Sequence, residues 1–333
     1  MVSYVLRRFL VSIPVLFVGS FLAYVMVATA GDPLAELRAR PGVAPSVIAD
    51  AERALGLDKP VLERYWTWLG NFLTGDWGVR IGQGQAQADV FDAVTRAFWV
   101  TFRLVLTAEV LALLLGIAVG VYAAVKQYSV GDYLATTAAF IMFSLPVFCV
   151  GVILKTYGIQ FNNVLADWGA EERWLRTAGP PSDGFEGGLG DRVFQYTGTF
   201  ILPTLTLMVI SFAAYSRFQR ASMLETLNSD YVRTARAKGL SPGRVIGRHA
   251  FRNALIPVAT LLSLNFGAVL AGAVITETVF GWQGMGVLLV ESVRQYDPNT
   301  LMGWLMIVAV VTVLFNLAAD VLYGVLDPRI RVG

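Results

Sequence analysis

Read for its alternation of apolar and polar positions, the chain resolves into six apolar runs separated by polar segments. The runs are Phe9 to Ala28, Phe98 to Tyr122, Tyr133 to Tyr157, Phe200 to Tyr215, Ala254 to Thr276 and Leu301 to Leu322. A bilayer core of about 30 Å needs roughly 20 apolar residues of helix, because lipid offers no partner for backbone N–H and C=O groups. Each run therefore predicts one transmembrane helix, and together they predict an all-α integral membrane protein with six crossings. The fourth run is short, so its helix is expected to continue past Arg217 toward water, with long side chains snorkelling.

The polar segments divide the chain into a first helix (1–30), a long segment between helices 1 and 2 (31–97), a transmembrane core (98–326) and a tail (327–333). Within 31–97, Ser46 to Leu55 starts with a plausible N-cap and stops before Gly56, and Pro60 to Phe72 carries apolar residues at near-helical spacing. Two short helices over the outer mouth are predicted there. Their aromatic residues, Tyr65, Trp66 and Trp68, with Trp77 beyond them, read either as an interfacial belt or as a docking surface for an external partner. The second outer loop, 158–197, is rich in Gly, Pro and charge from Ala170 to Arg192 and is expected to be irregular or mobile.

Composition agrees with the pattern: 56% of residues are hydrophobic and 15% charged, with a mean hydropathy of +0.59, which places the chain in the membrane class. The net charge of +2 gives no reason to expect nucleic acid as a partner. Its distribution is more informative. Thirteen Lys and Arg flank one side of the runs, and eleven are spread over the much longer segments of the other. Both termini are thus expected in the cytoplasm. A cleaved signal peptide ending at Ala28-Thr29-Ala30 is the alternative for the first run, but 20 apolar residues exceed the usual ~7–15 of such peptides. One cysteine, Cys149, excludes an intrachain disulfide, and with the single His249 it leaves no zinc-type cluster.

No catalytic residue is expected. Gly188-Leu189-Gly190-Asp191 and Tyr296-Asp297 match the strings of intramembrane aspartyl proteases, but both fall in polar loops and in reverse order, whereas that chemistry needs paired carboxylates within the bilayer. No G-x-x-x-x-G-K-[ST] occurs, so the chain has no nucleotide-phosphate cradle of its own.

A few polar residues fall inside the apolar runs. Glu109 lies about 16 Å from the outer end of the second helix, mid-membrane, where a charge is functional by default. It reads as an interhelical lock, with Asn265 as candidate partner, or as a contact on the translocation path. Asn316 faces either the path or a neighbouring helix. Arg103 and Lys155 lie near outer ends within snorkelling reach, and Asp320 is expected to anchor the sixth helix. Gly116/Gly120 and Gly267/Ala271 form small-xxx-small pairs that permit close helix approach, within the chain or between subunits.

The segment 216–255 concentrates eight Lys/Arg against Glu225 and Asp230. Asn228-Ser229-Asp230 supplies N-cap candidates, Tyr231 to Lys238 is a helix former and Gly239 a stop. Ala235 and Ala237 are small enough to let that short helix approach another protein closely. Here DYVRTARAKGL (Asp230 to Leu240), followed by RHAFRNALIPV (Arg248 to Val258), resembles the cytoplasmic loop of ABC importer permeases, and is most similar to the B-type permease of oligopeptide and dipeptide systems. Gly31-Asp32-Pro33, LGLDKP (Leu55 to Pro60), GDWG (Gly75 to Gly78), SLPVF (Ser144 to Phe148), ETVFGWQGMG (Glu277 to Gly286) and DPRIR (Asp327 to Arg331) agree with it in content and order. Three departures stand out. Arg233, Thr234 and Ala235 replace the general Glu-Ala-Ala; Gln283 replaces a proline; and Ala166 to Arg192 looks like an insertion.

The resemblance implies a type I ABC importer permease fold. It also implies a coupling helix in which Asp230, Tyr231, Arg233, Thr234, Ala235, Ala237, Lys238 and Gly239 meet an ATPase subunit. The chain itself would carry no cofactor, ATP and Mg residing on two partner ATPase subunits. A second, different permease subunit, an extracytoplasmic substrate-binding protein and membrane lipid complete the implied partners. The implied cargo is an oligopeptide or dipeptide, with nickel, glutathione or a sugar as alternatives within the class. A secondary transporter is the rival outside it, but no repeated halves or matching broken helices are apparent.

Overall fold

A computed structural model describes residues 2–39, 41–80, 88–169, 173–180, 188–262, 265 and 273–326. The described chain is helical apart from one isolated bridge between Val79 and Asp89. Among the described residues, four helices are long and apolar enough to cross a membrane: α1 (Val2–Ala30), α5 (Val90–Val125), α8 (Leu189–Leu227) and α15 (Pro298–Leu326). Short helices α2 (Ala35–Ala39), α3 (Pro45–Ala54) and α4 (Val61–Thr74) fill the segment after α1, where α3 and α4 match the two predicted helices to within two residues.

The predicted third crossing is not one straight helix. It is split into α6 (Val130–Ser144) and α7 (Val147–Asp167), bent by 104° at Leu145-Pro146. Proline has no N–H for the ladder, and its ring drives the preceding residue out of the helical region; Leu145 accordingly adopts φ −82°, ψ 129°. Counting that pair as one span gives five crossings. The predicted fifth run, Ala254 to Thr276, is interrupted by residues 263–264 and 266–272, which lie outside the described residues. Its described parts include helical residues 256–262, numbered α12 here, and α13 (Val274–Phe280).

The centre of the bundle is α5 against α8, running parallel. Glycine makes this possible. A Cβ on Gly116 would stand 2.7 Å from Tyr215 Cβ, and one on Gly120 would stand 2.6 Å from the Ser216 carbonyl and 2.7 Å from Gln219 Cβ. The small-xxx-small pair is therefore used inside the chain, while Gly267 and Ala271 lie outside the described residues. Gly120→Val is expected to cost about 1–3 kcal/mol by overpacking. Gly70→Ala, on an open face of α4, should be neutral or stabilising by under about 1 kcal/mol. Thermal unfolding in detergent, followed by tryptophan fluorescence, compares the two; equal melting would refute the seam.

On one flank α1 runs antiparallel to α15, joined by an Arg8–Asp320 ion pair of 2.6 Å, which gives Asp320 its anchoring role. α4 lies along α1 through Tyr65. That residue is fully buried among Phe17, Phe21 and Tyr24, and its hydroxyl shares a 2.9 Å hydrogen bond with Ser20. Trp77 is likewise buried, stacked on Phe72. Neither is a belt residue, because each fills a gap between helices; Trp66 alone of the four is exposed.

The outer loop is helical at both ends, in α7 up to Asp167 and in α8 from Leu189, which takes Leu189 to Arg192 out of the stretch expected to be irregular; residues 173–180 are irregular but pinned. Asn162 of α7 pairs with both backbone groups of Leu175 (2.6 and 3.0 Å), and Arg176 N–H donates to the Gly198 carbonyl of α8. The two protease-like strings are helix caps: Asp191 accepts from Gly188 N–H at the start of α8, and Asp297 accepts from Thr300 at the start of α15. Lys155 donates to the Val279 carbonyl in the last turn of α13, where a cation is favoured, and Arg103 is exposed, bonding within its own helix.

Candidate functional site

At the end of the bundle where α5 and α8 finish, Asn228 and Ser229 turn the chain into α9 (Asp230–Ala237). Ser229 takes the extended N-cap conformation, but its hydroxyl donates to the Thr226 carbonyl at 2.6 Å, so no side chain caps the helix. The stop is as expected. Gly239 has φ +74°, a left-handed value that glycine adopts without strain, and Leu240 N–H returns to the Ala235 carbonyl.

Helical periodicity splits α9 into two faces. Val232 and Ala235 are buried in a cluster with Ala124, Met223, Val245, Ala250 and Ala254. Asp230, Tyr231, Arg233, Thr234, Ala237, Lys238 and Gly239 are exposed, as is Arg236. Ala235 therefore faces its own chain and not a neighbour: it is small because α5, α8 and the following segment close on it. Beyond α10 (Pro242–Arg244), residues Val245–Phe251 form a π-helix, a form that concentrates at functional sites. It leads through α11 (Arg252–Ala254) into α12. Asn253 donates to the Tyr231 hydroxyl at 3.0 Å, tying the exposed start of α9 to that return path.

Behind α9 stand two polar networks. Arg220 of α8 grips Asp132 of α6 through two bonds of 2.7 and 2.8 Å. Asp132 is almost fully buried, and it also accepts from Tyr128 N–H and Thr136. Deeper, Glu109 of α5 accepts from Ser211 (2.6 Å) and Tyr215 (2.5 Å) of α8. Glu109 is thus bonded from α5 to α8, with Ser211 and Tyr215 as its direct partners and Asn265 one step removed, through the Tyr215 hydroxyl. Asn316 is half-buried on α15 and does not enter this network.

Near the opposite end, Glu277 is fully buried. It accepts from Thr101 of α5 and from the N–H groups of Gly286 (2.9 Å) and Val287 (3.2 Å), in the first turn of α14 (Met285–Arg294). A carboxylate suits that position, since a helix N-terminus presents unpaired donors and positive potential. Gly284 is required there because a Cβ would run into the Glu277 carboxylate and Thr101. Trp304 of α15 closes the arrangement by donating to the Met285 carbonyl at 2.7 Å. Sequence reading missed Glu277 and the Asp132–Arg220 pair; glycines bracketing Trp282 downstream of a glutamate were the available signal for the first.

Comparison with known proteins matches this arrangement. Residues 116–332 match the family described as "binding-protein-dependent transport system inner membrane component", and residues 1–104 match its N-terminal companion. The chain is 36% identical over 333 residues to the oligopeptide transport system permease protein OppB of Mycobacterium tuberculosis (strain ATCC 25618 / H37Rv), covering 100% of both. It is 37% identical over 332 residues to the glutathione transport system permease protein GsiC of Escherichia coli (strain K12), covering 99% of both. Among solved structures, a chain of the MetNI methionine ABC transporter in an inward-facing conformation aligns with TM-score 0.52 at 15% identity, covering 71% of this chain and 96% of that one; that likeness concerns the fold alone. The α9 loop, the buried Glu277 cap and full-length similarity to two permeases converge: the chain is a multi-pass membrane protein of the binding-protein-dependent transport system inner membrane component family, the permeases of ABC importers.

Proposed function

We propose that the chain is one of two transmembrane subunits of an ATP-driven importer of short peptides, a class that includes oligopeptides, dipeptides and the tripeptide glutathione. The observation that carries this reading is α9, whose basic face is open while its apolar face is clamped to the ends of α5 and α8. An ATPase subunit seated on Tyr231, Arg233, Thr234, Ala237 and Lys238 would push the helix bundle as a unit. The names of the relatives at 36–37% identity support the peptide class.

In this reading both termini and α9 lie in the cytoplasm, the chain crosses six times, and a second permease subunit completes the pore. Two ATPase subunits carry ATP and Mg, and an extracytoplasmic binding protein delivers the solute. ATP-driven closure moves α9, and α5, α6 and α8 follow together because Glu109 joins α5 to α8 and Arg220 joins α8 to α6. The path then opens alternately to either side, as a two-state element biased from both ends.

Ala237→Trp tests the coupling role, since Ala237 is exposed and its replacement leaves the internal cluster intact. In proteoliposomes holding the whole transporter, peptide uptake per ATP is expected to fall at least about tenfold while the ATPase subunits remain bound. Unchanged uptake per ATP would remove α9 from the mechanism, and a preparation without ATPase subunits whose transport follows an ion gradient would reject the ABC reading itself.

A further inference from the structure

At the end of the bundle opposite α9, a cavity of about 440 Å³ opens between α1, α4 and the start of α15. Its charged lining is Arg53, Lys59 and Arg64 against the single carboxylate of Asp76, and Trp68 and Trp77 form aromatic walls. Two of the cations are engaged at the rim: Arg53 pairs with Asp50, and Lys59 with Glu63, both in exposed pairs. Arg64 differs. Its side chain reaches the Tyr24 hydroxyl, its Nε is buried with no hydrogen-bond partner among the described residues, and no described carboxylate forms an ion pair with it. A half-buried guanidinium without a described carboxylate partner, lining a cavity with a cationic surplus, matches a tetrahedral anion with several acceptor oxygens.

Position decides what bears that anion. No lining residue comes from α5, α6, α7 or α8, so the cavity stands apart from the central α5–α8 pair. Its walls belong to helices with exposed apolar residues: α1 exposes Val18, Leu22 and Met26, and α4 exposes Leu62, Trp66 and Leu73. Tyr24 lies within two turns of the end of α1, at the depth where aromatic residues meet headgroups. A cationic pocket walled by aromatic residues at that depth suits an anionic headgroup. We propose that this cavity is a binding site for the phosphate headgroup of an anionic phospholipid, with Arg64 as the principal contact, Lys59 as a rim cation, and Trp68 and Trp77 flanking the glycerol region. The proposal rests on membrane insertion alone and is independent of the transported solute.

Native mass spectrometry of the full chain, released from nanodiscs containing phosphatidylethanolamine and phosphatidylglycerol, tests it. The unaltered protein is expected to retain one phosphatidylglycerol preferentially. Arg64→Gln should lower that occupancy at least about fivefold, Arg64→Lys by an intermediate factor because it keeps the charge and loses the fork of donors, and Arg103→Gln, an exposed cation elsewhere on the chain, not at all. Lys59→Gln, on the exposed rim, should weaken retention about twofold and serves if Arg64→Gln fails to insert. Equal phosphatidylglycerol retention by the Gln variants and the unaltered protein would overturn the proposal. So would binding of inorganic phosphate with no phospholipid retained, which would make the cavity a small-anion site.

Discussion

Arg220→Ala is expected to destabilise the protein by about 1–3 kcal/mol, the range for leaving a buried acceptor without its main partner. The cause lies on the other helix. Asp132 has a side chain only 3% exposed, so without the guanidinium its carboxylate stays out of water with one backbone N–H and one hydroxyl as partners. Arg220 itself retains partial exposure, so the cost arises at the carboxylate left behind and not at the guanidinium removed. The double variant Asp132→Asn/Arg220→Gln should recover much of the lost stability, because it removes the unpaired charge as well as the bond. Thermal unfolding in detergent separates these cases. If Arg220→Ala melts like the unaltered protein, the pair does not hold α6 to α8.

Glu277→Ala should have a comparable effect at the other end. Two backbone N–H groups and a threonine hydroxyl lose their acceptor inside the fold, and buried donors left unsatisfied cost about 1–3 kcal/mol each. A total of about 2–6 kcal/mol follows from the two N–H groups. The damage should be local before it is global: α14 loses the anion at its N-terminus, so amide exchange across Gly284 to Leu288 is expected to accelerate at least about tenfold. Glu277→Gln keeps one acceptor and should fall between. Unchanged exchange in the alanine variant would mean that Gly286 and Val287 do not depend on this carboxylate.

The parts of this fold legible in sequence are those decided by neighbours along the chain. α3 and α4 followed from periodicity, although Ser46 lies inside α3, whose N-cap is Ala44, and the run of α8 past Arg217 followed from length. What escaped was decided across the chain. Hydropathy treats Tyr133 to Tyr157 as continuous because it averages over Pro146, although the backbone turns by 104° there. Asp132 and Arg220 are 88 residues apart, and a count of charges by side cannot pair them. Glu109 was recognised as unusual, but hydroxyl donors on α8 are too ordinary in sequence to mark them as its partners. Ala235 was misplaced for a different reason. Its spacing from Val232 is one helical turn, and an apolar residue at that distance already indicated which face turns inward.

α8 carries a consequence for the scale of motion. At 39 residues it is about 58 Å long, longer than the lipid it crosses, and one tip stands two residues from α9. It is a lever with its handle outside the bilayer. A tilt of roughly 5° about that handle would sweep the far tip through about 5 Å, close to the spacing between neighbouring strands, so a small stroke suffices to widen or shut a slot for an extended backbone.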